Sequence, residues 1–477
     1  MTAGESSVAP ADAAAVRRRN LGSVLRHVAD HGPCARTEIA ASTGLAHGSV
    51  TALVADLMDR GLLREDAAQR SGTRGRPGRP VRLNPARALT LAVQISADHL
   101  RVRAADLAGT TRWDAAEPLR APIAPGDMAD AIAALLGRAV AATVEPAEPM
   151  RQQSRIVRPV GPDSGARTGS ADPVAGSAPD GSARVARRTT AGAGGADAAA
   201  VPESDAAEAV SGAPVVVRVV VAMAGPVRDD SARTVVVAPD FGWLRPVRLG
   251  ELITARLPGL GCAVEVVNDG NAAALAEFHA RGRGRERVVL IEAGTGIGGG
   301  VVTDGRIEIG SHGVAGEPGH MPVGLDGPEC VCGARGCLVV YAGPEAVLGA
   351  AGLREVLRDK GVFAASGELM ALLEAGDERA VGAAEVAGRA LGAAVQSISS
   401  LLDVDAVVLG GALAQWFPWL LPAMELSLSG RRALVPGLRL EVVPAVLGAD
   451  AILLGAGEFA RRAVLSDPAV VPSLPLG

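Results

Sequence analysis

Apolar positions in this chain change their period from one stretch to the next, and the changes mark its elements. Between residues 15 and 62 the period is helical: Leu21, Val24, Leu25 and Val28 make one stripe that Gly32 closes, and Val50, Leu53, Val54 and Leu57 make another. The segment between them predicts a short helix and a tight turn at Thr43-Gly44-Leu45. Next, LLREDAAQRSGTRGRPGRPVRLNP carries two β-capable edges around a tip of Gly, Pro and Arg, the pattern of a two-stranded wing. Residues 89–109 alternate and turn as a hairpin, and a helix is expected at about 126–144. Residues 145–213 lose all periodicity and read as a disordered, solvated insertion. The strand VVVRVVVAMAG at 215–225 resumes the order. From there the pattern is α/β: a strand into VEVVNDGN, the helix NAAALAEFHA, the strand VVLIEA, a glycine turn and the strand GGVVTDG. Helices near 344–358 and 380–401, a strand at 406–411 and a last helix from 455 complete it.

The 477 residues predict two or three domains, and an aromatic content of 2% makes their cores aliphatic. Lys360 is the only lysine among 47 basic residues, a mark of GC-rich coding rather than of chemistry. The net charge of −5 excludes a wholly basic nucleic-acid protein, yet arginines crowd residues 17–36 and 64–82. No early basic region precedes an apolar run, and no 18 apolar residues stand uninterrupted, so a soluble cytoplasmic protein without membrane partners is expected. Three of the five cysteines fall within eight residues, which points to a metal site rather than a disulfide framework.

The helix pair around Gly44 has the form of a helix-turn-helix, whose second helix would present His47, Ser49 and Thr51 to the major groove of double-stranded operator DNA. The wing tip would carry Arg74, Arg76 and Arg79 into a narrow minor groove, with Arg36 and Arg17 to Arg19 as phosphate contacts or surface charges. Ala46 is a poor N-cap, and Gly48 weakens the second helix by about 1 kcal/mol. His320, Cys330, Cys332 and Cys337 form a Cys3His set that closes a tetrahedral structural zinc site with no position left for water. Gly294 to Gly299 satisfy G-x-G-x-x-G but lead into a strand, which excludes the dinucleotide-binding turn. Asp269 is either a general base or a helix cap, and the residues alone favour the cap.

GEPGHMPVG (316–324), ECVCGARGCL (329–338), VVNDGNAAALAEF (266–278) and EAGTGIGGG (292–300), together with the N-terminal helix pair and the GRP wing, resemble the ROK family of repressors and sugar kinases over residues 15–465 outside the insertion. The resemblance implies an α/β protein: a winged helix-turn-helix followed by a two-lobed, actin-like sugar-kinase domain with a zinc loop. The expected division is a disordered tail at 1–14, the winged domain at 15–83, a first lobe at 88–268, a second lobe at 269–454 with its zinc loop at 316–338, and a C-terminal helix at 455–472 packing back on the first lobe. Members with this N-terminal extension resemble xylose- and N-acetylglucosamine-responsive repressors. By the same resemblance Asn268, Asp269, Glu317 and His320 match sugar-binding residues, with Asp269 at the position of the kinase base. Two positions depart from the pattern: Val339 replaces a further glutamate and Ala224 a proline. The family's first phosphate turn, Asp-x-Gly-Gly-Thr, is replaced by Gln94, Ser96, Ala97 and Asp98, so no ATP is expected. The expectation is a dimeric or tetrameric repressor of sugar genes that senses a sugar or sugar phosphate. The alternatives are an active kinase and a regulator whose ligand-free sensor serves only for dimerisation.

Overall fold

A computed structural model describes residues 12–66, 79–144, 213–281, 286–435 and 437–475. The expected wing tip except Arg79 and Pro80, and all but the ends of the expected tail and insertion, lie outside these residues. The chain opens with three helices, α1 (Ala13–His31), α2 (Arg36–Thr43) and α3 (His47–Asp59), and a two-stranded antiparallel wing, β1 (Leu63–Glu65) and β2 (Val81–Leu83). The turn between α2 and α3 closes because Gly44 takes a φ of 70°, a conformation that side-chain-bearing residues rarely adopt. The two apolar stripes read from the sequence meet in one core, where Leu21, Val24, Leu25 and Val28 pack on Val50, Leu53, Val54 and Leu57.

Two five-stranded sheets follow, and they repeat one topology. The first holds β3 (Ala88–Ile95), β4 (His99–Asp106), β5 (Thr111–Pro118), β6 (Val215–Met223) and β7 (Ala263–Asn268) in the order β5-β4-β3-β6-β7. Its helices are α4 (Pro125–Val144) and α5 (Leu249–Arg256), and α6 (Asp269–Ala280) leads to the second sheet. That sheet orders β8 (Arg287–Ala293), β9 (Ile297–Thr303), β10 (Arg306–Ile307), β11 (Ala406–Gly411) and β12 (Glu441–Pro444) as β10-β9-β8-β11-β12. In each sheet three antiparallel strands are extended by two parallel ones. Central β3 is buried along its whole length, as a strand covered on both faces must be.

The second lobe is roofed by α7 (Val339–Ala342), α8 (Pro344–Ala350), α9 (Arg354–Glu374), α10 (Glu378–Leu402) and α11 (Ala412–Leu434). Several elements depart from the sequence expectation, among them α5, β10 and β12, which it did not contain. The helix expected at 344–358 breaks after Ala350, because Gly352 turns with a φ of 86° before α9 begins. Strand β5 and helix α11 were not expected either: β5 is an exposed edge without clean alternation, and α11 carries Pro418 and Pro422 inside it. Trp416 of α11 is fully buried in the second-lobe core, and its indole N–H has no hydrogen-bond partner among the described residues. Trp416→Phe should therefore cost less than about 1.5 kcal/mol in denaturant unfolding, because it gives up ring volume but no hydrogen bond.

The last helix, α12 (Ala451–Ser466), starts four residues before its expected position and joins three parts of the molecule. Its Leu453, Ala456 and Ala460 pack on Ala92, Val220 and Ala272 of the first lobe and α6. Its end, with Val464 and Leu465, completes the core of the winged head. A Cβ on Gly22 of α1 would collide with the Ser466 carbonyl, so glycine sets the closeness of that crossing. The tail then ties the head down: Arg60 donates to the Val471 carbonyl, Leu474 N–H to Asp59 (2.7 Å), and Arg87 to the Pro472 carbonyl (3.2 Å).

Candidate functional site: a winged head, a thiolate cluster and an interlobe cleft

In the head, His47, Ser49 and Thr51 are exposed on the first turns of α3, and Thr51 Oγ1 donates to the His47 carbonyl at 3.0 Å. Ala46 caps nothing with its side chain. Arg36 does not stand free: it is ion-paired with Glu65 at 2.7 Å, and Arg79 reaches the same carboxylate at 3.5 Å. Their hydrogen bonds hold the Glu65 carboxyl below the usual range. Both arginines thus brace the root of the wing. Arg74 and Arg76 lie outside the described residues.

His320, Cys330, Cys332 and Cys337 come together with their ligand atoms all within 4.8 Å of one another. Cys332 Sγ lies 3.7 Å from Cys337 Sγ, and His320 Nδ1 lies 3.6 Å from Cys330 Sγ. A tetrahedral ion with bonds of about 2.3 Å to sulfur and about 2.05 Å to nitrogen sets those separations at about 3.8 and about 3.6 Å, so the group has the geometry to hold a metal ion. The loop reaches this shape through Gly336, whose φ of 68° no β-carbon would allow against the Gly324 carbonyl. Burial and the neighbouring sulfurs push the Cys337 thiol up to about 12, a crowding that a bound cation relieves.

The same loop turns into a cleft of about 550 Å³ between the lobes. All four residues expected to bind sugar line it: Asn268, Asp269, Glu317 and His320. The cap of α6 is Asn268, not Asp269, because Asn268 Oδ1 accepts from Asn271 N–H at 3.0 Å while its amide donates to the Gly225 carbonyl at 3.1 Å. Asp269 accepts from Gly270 N–H at 2.8 Å and is left facing the cleft. Burial first, then Glu317 and Asp240, push its carboxyl up to about 6. Burial raises Glu317 as well. The glycine turn lies between β8 and β9, and Thr295 donates from it across the cleft to Asp240 at 3.2 Å. Val339 begins α7 and packs against the second-lobe core beside this turn.

Sequence reasoning missed Glu292, Asp240 and Ile452, which also line the cleft. Glu292 stood inside a quoted motif as one more strand residue, and only its register beside Gly410 shows where it goes. Burial, Asp269 and Glu277 push its carboxyl up to about 7. An acid whose folded pKa is raised is tolerated when protonated and penalises folding once charged. Stability should therefore fall as pH rises from the ordinary carboxyl range through about 7, and Glu292→Gln should remove that loss. The expected gain is about 3 kcal/mol at about pH 8 and nothing near pH 4, read from thermal unfolding at the two pH values.

Comparisons with known proteins agree with this layout. A model of the ROK family matches residues 205–463, and one of the MarR family matches residues 22–76. A glucokinase of Streptomyces coelicolor is 34% identical over 275 residues, covering 54% of this chain and 84% of that protein. The xylose repressor of Bacillus subtilis is 28% identical over 227 residues, 47% of this chain and 56% of the repressor. The crystal structure of a ROK family transcriptional regulator, described as a homologue of the E. coli MLC protein, superposes with a TM-score of 0.69 over 96% of this chain and 98% of its own, at 22% identity. With a ROK model spanning more than half of its length behind a MarR-type winged helix-turn-helix, the chain belongs to the ROK family and has the architecture of its repressor-type regulators.

Proposed function

We propose that the protein is a cytoplasmic transcriptional repressor of sugar uptake or catabolism genes, whose kinase-like cleft binds a sugar and has lost ATP. The observation that carries this reading is the course of α12, which lines the cleft with Ile452 and closes the core of the winged head with Val464 and Leu465. Its 16 residues span about 24 Å as one rigid rod. A sugar that prefers one arrangement of the lobes would thereby shift the head that shares this helix, and only such differential affinity can move the equilibrium.

In this reading α3 enters the major groove with His47, Ser49 and Thr51, and the wing arginines follow the backbone or the adjacent minor groove. Two or four copies would place paired heads on a palindromic site. The Cys3His group holds a structural zinc, which fastens His320 and Glu317 to the cleft wall and takes no part in chemistry. Loss of ATP rests on residues 94–98. Their hairpin closes on itself, with Ser96 N–H donating to the His99 carbonyl at 2.9 Å and Asp98 paired to His99 at 2.7 Å. Side chains and a negative charge stand where a phosphate needs bare backbone. Among the described residues, no helix is long and apolar enough to cross a membrane.

The test is a footprint of the protein on its own promoter region, with and without a panel of sugars. Protection of a roughly palindromic, A·T-rich site that a sugar weakens is expected, and failure to retard any fragment overturns the reading. The second reading is a DNA-binding sugar kinase, favoured by Asp269, whose carboxyl near pH 6 suits a general base. ADP release from ATP over the same panel would establish it.

A further inference from the structure

The charged side chains of the cleft are almost all acidic. Asp240, Asp269, Glu292 and Glu317 line it, His320 is its one basic side chain, and no arginine or lysine belongs to the lining. Asp240 accepts from Thr295 and Asp269 from Gly270, whereas no hydrogen bond or ion pair among the described residues reaches the Glu292 carboxyl. Glu292, next to last in β8, alternates onto the face of Val288 and Leu290, beside Gly410, which has no side chain to fill the space that Glu292 takes. The charged groups that act on it, Asp269 and Glu277, have its own sign. A carboxyl that borders a ligand cleft with no hydrogen-bonding or oppositely charged partner is stabilised by a cation that arrives there.

The geometry narrows that cation. A divalent metal ion needs several ligand oxygens converging on one point, and His320 with its cysteines is the only such group of three or more among the described residues. An organic ammonium needs one carboxylate and a few acceptors around it. A phosphate would meet four carboxyl groups. It would also find two N-terminal amides of α6 already taken, Gly270 N–H by Asp269 and Asn271 N–H by Asn268.

We propose that Glu292, together with Asp269, makes the cleft a receptor for an amino sugar, a monosaccharide bearing a protonated amine, and closes it to sugar phosphates. The inference rests on the sugar-sensor reading above and names the ligand class of the same site. Its test is titration calorimetry of the full chain at about pH 7 with three matched pairs, glucosamine and glucose, mannosamine and mannose, galactosamine and galactose, with glucose 6-phosphate alongside. In the pair that fits the cleft, the amino sugar should bind about tenfold or more tightly than its neutral partner, with the phosphate weakest. In Glu292→Gln that ratio should fall toward one. Equal binding of a neutral sugar and its amine, or a ratio that survives Glu292→Gln, overturns the inference and leaves the sugar sensor standing. Absence of binding by every sugar overturns both. The wild-type ratio decides the question even where the variant fails to fold.

Discussion

Cys337→Ser should abolish metal binding at the Cys3His group and lower stability by about 3 kcal/mol or more, the largest effect expected of any single side chain outside the lobe cores. Cys337 is buried, its sulfur lies 3.7 Å from that of Cys332, and the chain on either side of it is held by bonds from Val323 N–H to the Gly336 carbonyl and from Leu338 N–H to the Met321 carbonyl. A serine there is a poor ligand, so the cluster keeps three donors, and the loop that fixes His320 and Glu317 loses its anchor. Sugar binding should disappear with it. Operator binding without sugar should persist, because the core of the head, Leu25, Val54 and Leu57 closed by Val464 and Leu465, takes nothing from the metal loop. Metal analysis of the purified wild type should find about one zinc per chain. A metal content far below that, or a variant as stable as the parent, would remove the zinc from the account.

The second large effect concerns coupling rather than stability. In Gly22→Val the new side chain meets the Ser466 carbonyl and pushes α1 off the end of α12. Overpacking of this kind costs about 1–3 kcal/mol. The response to sugar should suffer more. A regulator of this kind changes operator affinity by about 5- to 150-fold on binding its effector, and the variant should bind the operator while losing most of that change. Gel retardation with and without sugar reads both quantities. Arg60→Ala, which cuts the bond to the Val471 carbonyl without entering the α1–α12 crossing, should weaken the response in the same direction. A full sugar response in both variants would mean that the signal takes another route.

These two predictions draw on different depths of the sequence. The metal cluster was legible at once, because thiolates and an imidazole at short spacing have few other uses and their glycines announce the turns. The helix-turn-helix was legible for a similar reason: two apolar stripes and a glycine between them leave one compact arrangement. The cleft was only half legible. Asn268, Asp269, Glu317 and His320 could be matched by motif, but which of Asn268 and Asp269 caps α6 depends on hydrogen bonds that spacing does not reveal. Glu292 was invisible as a site residue, since a strand-end glutamate in sequence shows neither its face nor its neighbours.

The missed elements have equally plain causes. Helix α11 contains two prolines, which local rules read as breaks, yet its Leu413, Trp416 and Leu420 are buried in the lobe core and tertiary packing outweighs the local penalty. Strand β5 has one neighbour and little burial, so its sequence shows no alternation to detect.

By itself, then, the sequence determined the local matters: the helical stripes of the head, the glycine turns, the Cys3His group and the α/β alternation of the body. Each depends on residues in one short stretch of the chain. The tertiary structure alone decided what depends on long-range partners: the repeated sheet topology, the acid left unpaired at the end of β8, and the helix from near the C-terminus that joins the cleft to an N-terminal head. Burial and charge at those places are set by residues far apart in the chain, and no local period encodes them.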